Sequence, residues 1–131
     1  MSSSQLYYIN RSMSIQTFEK DWDYSDHQRV ICFSNKIYIP VARFLYYRIT
    51  EVIPKDSYPR MRDECTVSIK VLAMDEKFKH HPFVFYAVTY PSISSSHIFF
   101  RSQNEEKYEL INHYFPMESV ISLEILGEKE W

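Results

Sequence analysis

The side chains that could do chemistry are few, and their spacing suits it poorly. His80 and His81 are adjacent, so on an extended chain their imidazoles point to opposite sides. Neither makes an i, i+4 pair, or belongs to a C-x-x-C unit, with His97 or Cys65. The pair reads as solvated residues ahead of Pro82, and no metal ligands are assigned. Asp75 and Glu76, beside Lys77 and Lys79, read as a charged connection between strands rather than as two cooperating carboxyl groups. No serine is flanked by glycine, and Gly127 is the single glycine, so a nucleophile elbow, a Walker loop and a G-x-G-x-x-G turn are all excluded. Cys32 and Cys65 alternate with polar neighbours and are expected to face inward, where a thiol is inert. The expectation is a chain with no catalytic residues and no cofactor, and hence a non-enzyme.

Composition narrows the class further. The chain has 131 residues, 45% hydrophobic and 24% charged, which suits a single folded domain over 1–131. Its net charge is −2, so no global positive field draws in nucleic acid or an anionic membrane, and the acidic excess sits in the last thirty residues. Met1 to Ile9 lacks a basic leader and a long apolar run. The sequence therefore predicts no signal peptide or membrane span, membrane contact at most peripheral, and an intracellular setting, cytoplasmic or nuclear.

What stands out is the aromatic content, 17% of residues. The stretch His81-Pro-Phe-Val-Phe-Tyr-Ala-Val-Thr-Tyr-Pro91 sends Phe83, Phe85, Ala87 and Thr89 to one side, and Val84, Tyr86, Val88 and Tyr90 to the other. Neither side is polar. Either the strand is covered on both faces, or one aromatic face waits for a partner; the same choice applies to Arg43-Phe-Leu-Tyr-Tyr-Arg48. Tyr46, Tyr47, Tyr86, Tyr90 and Trp131 are the interaction candidates, because Tyr and Trp are enriched at binding hot spots. Arg43, Arg48, Lys55, Arg60, Arg62 and Lys70 are the cations that could line a groove for RNA or single-stranded DNA.

The elements that must position these residues are mostly strands. Cys65 to Ala73 alternates cleanly, Arg29 to Phe33 and Lys36 to Ile53 are rich in branched and aromatic residues with Pro40 as an interruption, and Val120 to Leu126 closes the series. Two helices are expected. Ile15, Phe18 and Trp22 fall at i, i+3, i+7 behind a capping Ser14, and Tyr108, Ile111 and Phe115 follow a capping box at Ser102 to Glu105 with His113 on the exposed side. Residues 1–13 read as a loose arm and 127–131 as a short acidic tail. One glycine also implies long, irregular connections. The predicted fold is mainly β (α+β): an antiparallel β-sandwich or part-closed barrel with one N-terminal helix and one helix before the last strand.

The function expected from this is a non-enzymatic interaction or assembly module that self-associates as a homo-oligomer, or binds a protein partner, through exposed aromatics and strand edges. The alternative is a single-stranded nucleic-acid-binding β module. A viral matrix-type or accessory protein would combine RNA binding with self-assembly.

Overall fold

The computed structural model describes residues 3–25, 28–34, 36–58 and 65–130, of which Ser3, Cys65, Thr66 and 128–130 are described by their backbone alone. In chain order the strands are β1 (Ser3–Asn10), β2 (Ile15–Phe18), β3 (Trp22–Ser25), β4 (Val30–Phe33), β5 (Ile37–Pro40), β6 (Phe44–Val52), β7 (Cys65–Met74), β8 (His80–Ala87), β9 (Ser92–Ile93), β10 (His97–Asn104), β11 (Glu109–Pro116) and β12 (Val120–Glu130). They form three antiparallel sheets: a six-stranded one in the order β2-β1-β6-β11-β10-β9, and two three-stranded ones, β12-β7-β8 and β3-β4-β5.

The reason for three sheets lies in β6. Its sequence FLYYRITEV is apolar on both faces for most of its length, and such a strand is stable only when covered twice. Across one face of the large sheet, register aligns Tyr7 with Arg48, Arg48 with His113, and His113 with Phe100. Together with Ile9, Tyr46, Phe115 and Ile98, this face packs on Val67, Ile69, Val71 and Ala73 of β7 and on Phe83 and Phe85 of β8. Leu6, Tyr8, Tyr47 and Ile49 belong to the second core, with Ile31 and Phe33 of β4 and the flanking rings of Phe18, Trp22 and Tyr24. Consecutive tyrosines, Tyr46 and Tyr47, thus anchor opposite layers. Full burial of an aromatic side chain contributes about 2–3 kcal/mol, so these rings are the main stabilising elements.

Antiparallel β structure is as the sequence predicts, but the two helices are not. Among the described residues the helical elements are three-residue 3-10 turns at Val41–Arg43, Lys55–Ser57, Glu105–Lys107 and Met117–Ser119. The Ile15, Phe18, Trp22 spacing belongs instead to β2 and β3, joined through Asp21. Ile15 pairs with Ile9 and stays exposed, while Phe18 and Trp22 enter the second core. The capping-box segment continues β10, and Tyr108 to Phe115 is a turn and then β11. Its sheet is covered on both faces, with Phe115 in the first core and Tyr114 packed against the second, so apolar residues fall on both faces of the strand and erase its period.

The segment expected to be a loose arm is β1, held between β2 and β6 with Leu6 fully buried. The polar Ser3, Ser4 and Gln5 conceal the start of a strand that pairs with β6 from Ser3 onward. Likewise β12 runs through the acidic tail to Glu130, paired with β7. Connections are also tighter than the lone glycine implies. Met13, Asp21, Arg29, Ser34, Phe78 and Tyr108 adopt left-handed backbone conformations with φ between 52° and 72°. Each such non-glycine turn costs roughly 1–2 kcal/mol, which the two cores offset.

Candidate functional site

The aromatic strand β8 resolves its own ambiguity asymmetrically. Phe83 and Phe85 turn into the first core with Ala87, which is fully buried. On the other side Val84 is 53% and Tyr86 73% exposed. The strand is therefore neither covered twice nor free: one face carries the core and the other is bare.

Pairing extends this bare face across the sheet. Tyr86 lies opposite Ser68, Val84 opposite Lys70, and Pro82 opposite Leu72. On the far side Lys70 faces Glu124 and Leu72 faces Ser122. The result is an apolar strip of Leu72, Pro82, Val84 and Tyr86, beside which a cation and an anion occupy neighbouring strands. The free edges of this sheet are blunted. Pro82 removes a donor from β8, and β12 carries irregularities between Val120 and Ser122 and between Ile125 and Gly127.

The sequence-derived interaction candidates separate cleanly. Tyr86 and Tyr90 are exposed, the latter at 50%, whereas Tyr46 and Tyr47 are buried at 2% and 0%. These two are core residues and no part of a surface, because β6 is the middle of the middle sheet; Trp131 lies outside the described residues. Tyr46 is engaged chemically as well. Its phenol oxygen is 2.6 Å from His113 Nδ1, and His113 Nε2 is 2.7 Å from the Ser102 hydroxyl. His113, expected on the exposed side of a helix, is 2% exposed instead. Burial, with the Arg48 charge adding to it, pushes its imidazole down to about 3, and burial raises the Tyr46 phenol well above its usual range. Both ring nitrogens are occupied and the ring is sealed between Phe85 and Phe100, which describes a neutral, load-sharing imidazole.

Among the described residues the candidate cations do not converge on one groove. Arg43 and Lys55 sit before and after the nine-residue β6, hence about 30 Å apart. The Arg48 guanidinium lies 4.2 Å over the Tyr7 ring on the core-facing side of the large sheet, and Lys70 is on the bare face. Arg60 and Arg62 lie outside the described residues. Cys32, expected inward, faces away from its core: on β4 the buried residues are Ile31 and Phe33, and Cys32 is a partly exposed free thiol between Asp23 and Tyr38.

The Asp75 connection is more organised than a solvated charge run. Asp75 is 4% exposed; its Oδ1 accepts from the Lys77 and Lys79 amides at 2.8 and 2.9 Å, and Oδ2 lies 2.9 Å from His81 Nε2. These contacts hold its carboxyl below the usual carboxylate range. Sequence spacing carries a signal for this only in the Asx-turn preference of aspartate. Among the described residues no three His, Cys, Asp or Glu side chains gather to hold a metal, and no helix is long and apolar enough to cross a membrane. The chain matches no protein-family model, no curated protein and no solved structure.

Proposed function

We propose that the protein is a non-enzymatic assembly module that pairs with a second copy of itself through the bare face of the β12-β7-β8 sheet. The observation that carries this reading is Tyr86: a large ring, 73% exposed, near the end of an ordered strand, on the same face as Val84 and the Leu72–Pro82 pair. Leaving such a face in water is unfavourable, and tyrosine suits a surface that must be wet alone and dry when paired.

Charge favours a like partner. Lys70 and Glu124 lie side by side on the same face, so a two-fold axis through it sets each against the opposite charge of the other copy while apolar strips meet. A net charge of only −2 adds little repulsion. The neutral, enclosed state of His113 is in keeping with a role that is not catalytic.

Sedimentation velocity over a concentration series tests the reading. The expected result is a reversible dimer, weakened at least tenfold by Val84→Lys together with Tyr86→Lys, with the thermal midpoint of dilute, monomeric protein unchanged. A protein monomeric at every concentration, or a dimer indifferent to both substitutions, contradicts it.

A further inference from the structure

The β7–β8 connection holds a residue that stability alone does not explain. Phe78 is 76% exposed, and it sits at φ 64°, in the left-handed region that disfavours any side chain. Its ring gains little from packing and its backbone is strained. Nevertheless the turn is tightly built. Asp75 fixes the amides of Lys77 and Lys79, the Phe78 amide donates to the Asp75 carbonyl at 3.1 Å, and the Asp75 amide donates to the Lys79 carbonyl at 2.9 Å. Strain held in place by surrounding hydrogen bonds is a pointer to function.

The same turn is tied to two others. The Glu76 amide donates to the Arg11 carbonyl at 2.9 Å, and the Arg11 amide to the Arg43 carbonyl at 3.0 Å. These bonds bring the β1–β2 turn, the Val41–Arg43 turn and the hairpin tip around one cleft of about 400 Å³, lined by Asn10, Arg11, Ser12, Arg43, Glu76 and Phe78. Arg11 presents a further anomaly. Its Nε is shielded from solvent and finds no acceptor among the described residues. A desolvated guanidinium N–H is costly to leave unpaired, and the acceptor that suits its planar fork best is an oxyanion. Arg43, on the same cleft and exposed, supplies a second guanidinium, with Lys77 and Lys79 on the adjoining turn. Among the described residues Glu76 is the single carboxylate in this wall; Asp75 is consumed by its turn, and Glu118 by Arg29 at 3.0 Å.

We infer that this cleft binds a nucleotide unit, its phosphate held by Arg11 and Arg43 and its base stacked on the Phe78 ring. Guanidinium forks match phosphate oxygens, and a rigid exposed ring stacks any base, typically worth roughly five- to hundredfold in affinity. The unit could be free or part of a single strand, and both present the same chemistry. This goes beyond the dimer reading and does not depend on it.

Fluorescence anisotropy of the full chain with a labelled ten-nucleotide single strand, at several salt concentrations, tests it. Two phosphate contacts predict a log–log salt slope of about −1.4. Phe78→Gly should weaken binding at least fivefold at every salt concentration without lowering the thermal midpoint, and Arg43→Ala should roughly halve the slope. Competition separates the sources: a free mononucleotide that displaces the strand mole for mole identifies the monomer as the ligand, and a strand that outcompetes it identifies the polymer. Inorganic phosphate competing as well as the mononucleotide overturns the stacking role. Absence of binding at low salt, or binding that both variants retain in full, overturns the site. Sedimentation of Phe78→Gly should match that of the unaltered protein, so this proposal and the dimer fail separately.

Discussion

The phenol oxygen of Tyr46 on β6 lies 2.6 Å from Nδ1 of His113 on the neighbouring β11, with both residues 2% exposed. The other ring nitrogen, Nε2, lies 2.7 Å from the Ser102 hydroxyl, so both imidazole nitrogens have a partner inside the core. Burial, with these two contacts in place, holds His113 neutral. The cation facing it from β6 is Arg48, and β8 and β10 present the rings of Phe85 and Phe100.

Stability should consequently depend on pH in a definite direction. The folded-state value of His113, about 3, lies below the usual 6.5, so the unfolded chain binds the extra proton first. Its contribution is complete above about pH 6.5 and is lost as pH falls toward 3, at up to about 1.4 kcal/mol per unit. Urea unfolding at pH 7, 6, 5 and 4 should show this decline, and His113→Gln should flatten it between pH 6.5 and 5, above the carboxylate range. An unaltered slope in that variant would place the proton elsewhere.

Removing the phenol hydroxyl should be expensive despite the small change in volume. Tyr46→Phe leaves Nδ1 of a buried imidazole without its partner, for a loss of about 1–3 kcal/mol by urea unfolding. Ser102→Ala should cost less in the Tyr46→Phe background than alone, because the two share one network.

The two faces of β8 should respond differently to truncation. Phe85 touches Tyr46, Phe100, His113 and Phe115, so Phe85→Ala should cost about 3 kcal/mol. Tyr86→Ala, one residue along, should stay within about 0.5 kcal/mol when measured on dilute protein.

Strained turns offer the opposite sign. Ser34 is exposed, at φ 53°. Ser34→Gly relieves its left-handed conformation, and the midpoint of thermal unfolding should rise by a few degrees, the gain of roughly 1 kcal/mol being reduced by the extra freedom of glycine when unfolded.

Much of the strand content is legible in the residues, and the reason is visible in β7. Val67, Ile69, Val71 and Ala73 face a core while Ser68, Lys70 and Leu72 face outward, so the alternation survives in the sequence. Both false helices arise where that contrast is lost. The segment from Ile15 to Trp22 is two short strands around a left-handed Asp21, and β11 is apolar on two sides because two layers cover its sheet. The same cause hides which tyrosines are available. Tyr46 and Tyr86 have similar neighbours in sequence, but β6 is central to its sheet and β8 is an edge. Sheet order is a long-range property, and local pattern does not encode it. Phe78 passes unnoticed for a related reason: its meaning lies in a backbone angle and in turns brought to it by residues 11 and 43.

Hydroxyl-radical footprinting of two tyrosines tests the proposed assembly face most directly. Tyr86 on β8 and Tyr38 on β5, in separate sheets, are 73% and 62% exposed and serve as probe and internal reference. The account predicts that oxidation of Tyr86 falls as protein concentration rises while that of Tyr38 stays constant. Equal oxidation of both at all concentrations, or protection of Tyr38 instead, would contradict it.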